Sequence, residues 1–517
     1  MNRPGAWLLP DLMPTEGVLT ALAAEFELDI APEYGAMVVY ADSFDWRIYQ
    51  RGCLLHCHGS CWTLYHADSG ETTVQRNGPE LQTSCSALDF PPGGMRALLE
   101  PILGIRCLLP LATARLRRRP IGLLNRDNKT VARIVIETQR TTATDGERRH
   151  CLFRLHGIRG YESEQAGARR ILAEAGVTQA VSPLIGVEEA CLANGRKPLD
   201  YSPKFLLELG DGETAHEAMT RIYQTLLDAI TRNIPGVLAD HDTEFLHDLR
   251  VAIRRTRSGL SLVKRVLPAS ISERFNRMFR RLGALTGPTR DLDVYLLAYE
   301  GYLKRVPPVL RPGLEEFFAT LRHKRQIEQK RLVRALRTKK NEALFNAWRR
   351  AFRRPYRQQA DLTDLPVREL ADRVILKRYK LVMRAGRGLN AATADTEVHR
   401  LRIQCKKLRF VVEFFGSLYP KQELEILIRQ LKKLQDILGG FNDLSVQQGM
   451  ISQSLSSLSA GLRGNFDQAA ALGGLLQSLF QEQQGLRGNF AEAFAEFGDQ
   501  KTAALFHELF RKRRDLV

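Results

Sequence analysis

The sequence predicts an α+β N-terminal domain followed by an all-α domain of two pseudo-symmetric up-down helical bundles. Three observations carry this. Residues 1–200 hold short runs of alternating apolar and polar side chains, the pattern of half-buried strands. From Glu213 onward the apolar spacing is helical, and turn signals separate the segments. Within that helical part, H-D-L-R-V-A-I-R-R-T-R from His247 returns without a gap as H-R-L-R-I-Q-C-K-K-L-R from His399, which marks two copies of one structural unit. The expected domains are residues 1–200 and 213–510, with repeat units over about 213–355 and 366–510.

Charge is divided as unevenly as structure. Residues 1–210 contain 23 Lys and Arg against 24 Asp and Glu, whereas the remainder contains 53 against 34. The basic excess belongs to the helical part, and a polyanionic partner is expected there. No apolar run approaches the roughly 18 residues of a membrane span, so no membrane partner is expected. The start, M-N-R-P-G-A-W-L-L-P-D, has no continuous apolar signal segment. Eight cysteines with no compact disulfide-like spacing suit a reducing cytoplasm.

Along the first domain, Met37 to Tyr49 predicts a strand, a turn and a second strand. Cys53 to Tyr65 continues the alternation, and A-R-I-V-I-E (132–137) and Cys151 to Ile158 add further strands. Helices are expected at 16–27 and 163–175. The cluster C-L-L-H-C-H-G-S-C (53–61) has metal-ligand residue types, but on one strand Cys53, Cys57 and Cys61 share a face while His56 and His58 share the other. No metal site is expected from it. A polar, turn-rich linker is expected at Asn194 to Pro203.

In the second domain, helices are expected near 213–232, 242–265, 270–286, 291–304, 312–336, 341–354, 366–388, 395–417, 421–438, 443–458 and 465–512 with breaks. Turn signals stand at N-I-P-G (233), L-P (267), T-G-P-T (286), V-P-P (306) and L-G-G-F-N (438). Asp291 and Asp443 follow two of these signals and are expected to cap the next helices, with a second role of holding a neighbouring Arg. The twice-used L-R-G-N-F (Leu462 and Leu486) is expected at helix ends.

At about 100° per residue, His247, Arg250, Arg254 and Arg257 share one narrow arc of a helix, with Arg255 on its flank. Leu249, Ala252, Ile253, Leu260 and Val263 gather opposite, as a core stripe does. The second copy repeats this with His399, Arg402, Lys406, Lys407 and Arg409 outside and Leu401, Cys405, Leu408, Val412 and Phe415 inside. The register extends to Pro268 and Pro420, Arg277 and Arg429, Arg280–Arg281 and Lys432–Lys433, and Asp291 and Asp443. Only Asp248 and Glu413 lie close enough in sequence to neutralise the ladders. A self-repelling cationic row is tolerated best when an anion supplies the missing charge.

The paired H-x2-R-x3-[RK]-[RK]-x-R helices resemble a CHAD domain, the conserved-histidine α-helical domain, over about residues 213–510. The resemblance implies a basic central channel that binds inorganic polyphosphate, and association with polyphosphate granules in the bacterial cytoplasm. It assigns His247, Arg250, Arg254, Arg255, Arg257, Arg280, Arg281, His399, Arg402, Lys406, Lys407, Arg409, Lys432 and Lys433 to the ligand; the repeat register adds Arg277 and Arg429. Lys377, Arg378, Lys380 and Arg384, on the preceding helix, are additional candidates for the same channel. The chemistry agrees: polyphosphate has no bases to read, and regularly spaced cations and donors suffice to hold it. A His repeated on the cationic face favours contact with the ligand over a purely structural role.

The stretch Y-A-D-S-F-D-W-R-I-Y-Q-R-G-C-L-L (Tyr40–Leu55) resembles a CYTH domain, which implies a tunnel-type β-barrel and links it to an inorganic triphosphatase that uses Mg2+ or Mn2+. The carboxylates of that reaction are missing. A-W-L-L-P stands where the family has E-x-E-x-K; Glu25-Phe-Glu27-Leu-Asp29 follows the first helix; His56-Cys57-His58 replaces an arginine-bearing strand; and Arg154-Leu155-His156 replaces a late E-x-E. Glu162 and Glu164 suit a helix start. The expectation is a catalytically degenerate domain with no catalytic residues and no cofactor. The arginines at 115, 117, 118, 119 and 133 are expected as a solvated basic strand end. Nucleic-acid binding is the third reading. Against it, only Phe410 lies beside the ladders to stack on a base.

Overall fold

The computed structural model describes residues 5–9, 15–143, 146–352, 360–390, 392–459 and 466–510. The chain divides into two compact units after Pro203.

The first unit is one antiparallel sheet with helices on it. Its elements run β1 (Gly5–Leu9), α1 (Thr15–Ala23), β2 (Glu27–Ile30), β3 (Tyr34–Asp42), β4 (Cys53–His58), β5 (Cys61–His66), β6 (Thr72–Gln75), α2 (Gly94–Leu103), β7 (Leu109–Leu124), β8 (Thr130–Ala143), β9 (Gly146–Gly157), α3 (Glu162–Glu174), β10 (Gln179–Ala180) and α4 (Ile185–Ala193). The strand order is β10-β1-β9-β8-β7-β3-β4-β5-β6, and β2 extends the edge of β7 beside β3. Among the described residues the two ends of this path do not pair, so hydrogen bonding does not close the sheet. It is nevertheless strongly curled. The Arg154 guanidinium of β9 lies 5.0 Å over the Tyr65 ring of β5, with four strands intervening in the path.

The convex side is covered twice. Ile134, Ile136, Phe153 and Leu155 pack with Val18, Leu22, Ile171 and Leu172 of α1 and α3, and Leu55, Trp62 and Leu64 pack with Met95 and Leu99 of α2. The other side is apolar near α4, where Tyr40, Leu54 and Leu116 meet Val187 and Ala190, and polar beyond.

Three expectations for this unit fail for local reasons. No second strand forms before Tyr49. The Asp42 carboxylate instead accepts the backbone N–H groups of Ser43, Ile48 and Tyr49 (2.6–2.8 Å), and Trp46 takes a left-handed φ of 62°, so the chain turns and the next strand begins at Cys53. Cys61 opens the next strand, opposite His58, rather than lying on the strand of Cys53 and Cys57. Nor is R-L-R-R-R a strand end: it sits in the middle of β7, with Arg118 pointing inward and Arg117 and Arg119 pairing outward with Glu33 at 3.7 and 3.3 Å.

The second unit is helical: α5 (Ala215–Ala239), α6 (Thr243–Leu262), α7 (Ala269–Leu285), α8 (Gly287–Leu297), α9 (Tyr299–Leu303), α10 (Arg311–Leu336), α11 (Lys339–Ala351), α12 (Val367–Gly386), α13 (Asp395–Phe415), α14 (Lys421–Ser459), α15 (Phe466–Gly488), α16 (Phe490–Phe497) and α17 (Gln500–Leu509). The starts of α5, α6 and α7 match those of α12, α13 and α14 at the constant offset of the sequence repeat. A pseudo-twofold axis passes between Thr214 and Pro366, which form an isolated antiparallel bridge. Around it, Ala215 N–H donates to Leu365 O (2.7 Å) and Val367 N–H donates to Glu213 O (2.9 Å).

Aromatic side chains fill each bundle. Trp348 meets Tyr223, Phe275, Phe279 and Phe352 in the first, and Tyr379, Phe497, Phe506 and Phe510 cluster in the second. The structure adds a shared core in which Phe317, Phe318 and Leu321 of α10 pack with Leu444 and Ile451 of α14 and Leu472 and Leu475 of α15.

Two expected helix breaks are absent. The first helix continues through Pro235 because Gly236 lets the Phe245 ring of α6 lie directly on it; a Cβ there would sit 2.2 Å from that ring. The second continues through Gly439–Gly440, since the buried flanking Leu438 and Phe441 outweigh a helix cost of about 1 kcal/mol per glycine. Asp291 and Asp443 are therefore not caps. Each lies inside a helix. Of the two L-R-G-N-F copies, the one from Leu486 spans the junction of α15 and α16, and most of the copy from Leu462 lies outside the described residues.

Candidate anion-binding site

Helix α6 begins from a well-defined cap, whereas α13 begins after Ala394 without one. Asp242 caps α6 by accepting the N–H groups of Glu244 and Phe245, and each helix buries the apolar stripe that the periodicity marks: Leu249, Ala252, Ile253 and Leu260 in one, Leu401, Cys405, Leu408 and Val412 in the other. The two helices pack against one another, so their cationic faces converge.

The centre of that convergence is Arg254, whose charge feels Arg250, Arg255 and Arg290 of its own repeat and Arg402 of the other. Burial first, then these neighbours, pulls its guanidinium down to about 10. Burial followed by Arg402 and Arg254 pushes the Lys406 ammonium down to about 8, against the opposing pull of Asp443. Two carboxylates partly offset five cations. Asp443 accepts from Arg402 (3.2 Å), and Asp291 lies within the field of Arg250 and Arg290. Among the described residues three positive charges stay uncompensated where the two faces meet, with Arg250, Arg290, Arg402 and Lys406 half-buried and Arg254 open to solvent.

Hydrogen bonds hold the guanidinium groups in place. Arg250 donates to Gly283 O (3.2 Å) and to the wholly buried Thr286 hydroxyl (2.9 Å). Arg290 donates to Thr243 O (3.3 Å) and to His247 Nδ1 (2.9 Å), which leaves His247 to donate from Nε2. In the equivalent place His399 donates from Nδ1 to Asn442 Oδ1, so its Nε2 donates only when the ring is protonated. Arg290 and Asn442 were not among the sequence candidates. The signal was available: each immediately precedes a repeated aspartate.

Not every candidate joins this centre. Arg255 and Arg409 are both tied to Glu413, at 2.7 and 2.6 Å, and so clamp α6 to α13. Arg257 lies beside Arg280, and Lys407 beside Arg378, forming flanking cationic pairs. Arg277, Arg281, Arg429 and Lys432 are exposed on α7 and α14, and Lys433 pairs with Glu496 at 3.4 Å. Lys377, Lys380 and Arg384 are exposed on α12. Phe410 is buried and offers no stacking surface.

The first unit has its own polar interior. Glu137 accepts from Arg118 (2.7 Å) and Arg154 (3.3 Å), Arg118 donates to His56 Nε2 (3.3 Å), and Tyr40 donates to Gln139 (2.6 Å). Burial, then Arg118, pushes the His56 imidazole down to about 3, so it is neutral. This carboxylate is already held by two arginines. Among the described residues no three His, Cys, Asp or Glu side chains group as metal ligands would. No helix among them is long and apolar enough to cross a membrane.

The family model described as CHAD domain matches residues 221–452. Among solved structures, the CHAD domain from the plant Ricinus communis is 25% identical, with a TM-score of 0.48 over 56% of this chain and 94% of that one. PptA from Streptomyces chartreusis is 14% identical, with a TM-score of 0.42 over 55% and 99%. The putative adenylyl cyclase HpAC1 from Hippeastrum, described by a dominant triphosphatase activity, is 12% identical, with a TM-score of 0.24 over 38% and 99%. The sequence matches no curated protein.

Proposed function

We propose, for a chain whose residues 221–452 match the CHAD domain model, that the cationic faces of α6 and α13 form a recess in which its helical unit binds inorganic polyphosphate. The observation that carries this reading is the meeting of Arg250, Arg254 and Arg290 from one repeat with Arg402 and Lys406 from the other. Symmetry narrows the ligand further. A linear polyphosphate is identical when traversed from either end, whereas a nucleic-acid strand has a direction. A site built twice about a pseudo-twofold axis suits the former, and the absence of a stacking ring at Phe410 disfavours the latter.

Titration of labelled long-chain polyphosphate at moderate salt tests the proposal. Binding is expected to weaken steeply with salt, and RNA is expected to compete at least tenfold more weakly. Equal affinity for RNA would overturn it. Association with polyphosphate granules follows and is checked by imaging a fluorescent fusion in cells that accumulate them.

Lys406 gives this binding a pH signature. In the free fold it loses its proton near pH 8, whereas in an unfolded chain it does so near 10.5. A bound polyanion favours the charged form, so binding takes up a proton between those values and affinity falls as pH rises through them. Over the same window the free fold gains stability with pH, because the unfolded chain holds a proton that the folded one has released. Calorimetry in buffers of different ionisation enthalpy reads the uptake, and Lys406→Arg should abolish it. An unchanged affinity from pH 7.5 to 10 would contradict this assignment.

For the N-terminal unit the expected result is no phosphate release from tripolyphosphate with Mg2+ or Mn2+, because Glu137 is engaged by Arg118 and Arg154. Turnover that Glu137→Gln removes would reverse that expectation.

A further inference from the structure

A second cationic stripe lies on α10, outside the recess and in the first repeat only. His323, Lys330, Arg334 and Arg337 fall within one arc of its outer face, opposite the buried Leu321, Leu332 and Leu336. All four are exposed, and none has an ion-pair partner among the described residues. Exposed Lys339 and Lys340 extend the stripe into α11. Its pseudo-symmetric counterpart, α15, carries a single cation, Arg487, already bound to Asp395 and Thr393 O.

The stripe is held rigidly. Arg325 on the flank of α10 binds Asp240 and, at 2.8 Å, Asp293 of α8. Helix α8 stands between the two cationic surfaces: it carries Arg290 toward the recess, and its Pro288 and Leu292 line a hollow with Lys324 and Arg331 of α10.

We propose that this face of α10 is an extension surface for the same polyphosphate chain, engaged only by molecules long enough to run past α8. The proposal rests on polyphosphate binding in the recess. The occupant follows from composition. No Phe, Tyr or Trp lies between Arg322 and Lys340 to stack on bases, and Ile327 is the only exposed large apolar side chain there that could enter a lipid surface. What remains is a straight row of cations at i, i+4 and i+7, the spacing of the α6 ladder, which matches a regular linear anion.

The test is K330Q/R334Q/R337Q in the full chain, with tripolyphosphate and long-chain polyphosphate as ligands. Glutamine keeps the helix while removing the charge. Tripolyphosphate affinity is expected to stay within twofold. Long-chain affinity is expected to fall about tenfold or more, with the slope of log affinity against log salt shallower by about 2. Equal losses for both ligands, or long-chain affinity within twofold of the parent, would overturn the extension surface while leaving the recess standing. So would loss of binding to phosphatidylserine vesicles with polyphosphate binding intact. Failure of the parent protein to bind either phosphate ligand would remove both readings.

Discussion

Replacing Arg254 and Lys406 together by glutamine is expected to lower long-chain polyphosphate affinity by two to three orders of magnitude without destabilising the fold. The loss follows from the position of the pair. These two side chains come from different repeats and meet where the two cationic faces converge, and desolvation and like charges already disfavour their protonated forms. A charge-assisted hydrogen bond contributes about 1.5–3 kcal/mol, so two of them contribute at least about 3 kcal/mol, which is more than two orders of magnitude at about 1.4 kcal/mol per factor of ten. The stability result separates lost binding from lost structure. Removing charge from a self-repelling cluster relieves repulsion in the free protein, so the melting temperature should stay the same or rise slightly. A less than threefold change in affinity, or a marked fall in melting temperature, would show that these residues serve the fold rather than the ligand.

In the N-terminal unit, Glu137→Gln is expected to cost about 3–5 kcal/mol of stability, because it leaves two arginines around a buried position without their counter-charge. Glu137 is 3% exposed and bridges Arg118 and Arg154. Burial alone would raise its pKa, but Arg118 and then Arg154 outweigh burial and hold it near 2, below the ordinary 4.5. A depressed carboxylate contributes stability above the unfolded value, and that contribution is lost as pH falls from about 4.5 toward 2. The parent unit should weaken through this window, whereas the variant should lack that component of the acid transition. Trp7, Trp46 and Trp62 lie in this unit and Trp348 in the other, so tryptophan fluorescence chiefly follows the relevant transition. A cost below about 1 kcal/mol would mean that water already solvates the pair.

The helical site was legible because its chemistry repeats at constant register. A cation opposite an apolar stripe has few places to go once the stripe is buried, so Arg250, Arg254, Arg402 and Lys406 could be placed on facing surfaces from spacing alone. What spacing could not supply was pairing across space. Glu413 looked like a local counter-ion, yet it reaches from α13 to Arg255 of α6 as well as to Arg409. Arg290 and Asn442 support their histidines from 43 residues away in sequence. Local signals misled where packing overrode them. Pro235 and Gly236 suggest a turn, but the glycine serves the close approach of Phe245. Asp291 and Asp443 resemble caps, but α8 already starts at Gly287 with Pro288 in its first turn, and α14 runs unbroken through the buried Leu438 and Phe441. In the first unit the sequence showed which carboxylates a tunnel enzyme would miss. It did not show that Glu137 is held between Arg118 and Arg154, since these three lie on adjacent strands and meet only through the register that sets Arg118 opposite Glu137 and Arg154 opposite Val135, two residues away.

The bridge between Thr214 and Pro366 bears on how such a chain can evolve. Its reciprocal bonds use only main-chain atoms, so they place no demand on which side chains flank them. After duplication, the two copies could diverge freely while the clasp kept them aligned. One copy could acquire Glu413 where the other has Ser261, and one could gather basic residues on α10 where the other became rich in alanine and glutamine. A single-copy ancestor would have needed the same clasp between two identical molecules, as an isologous homodimer.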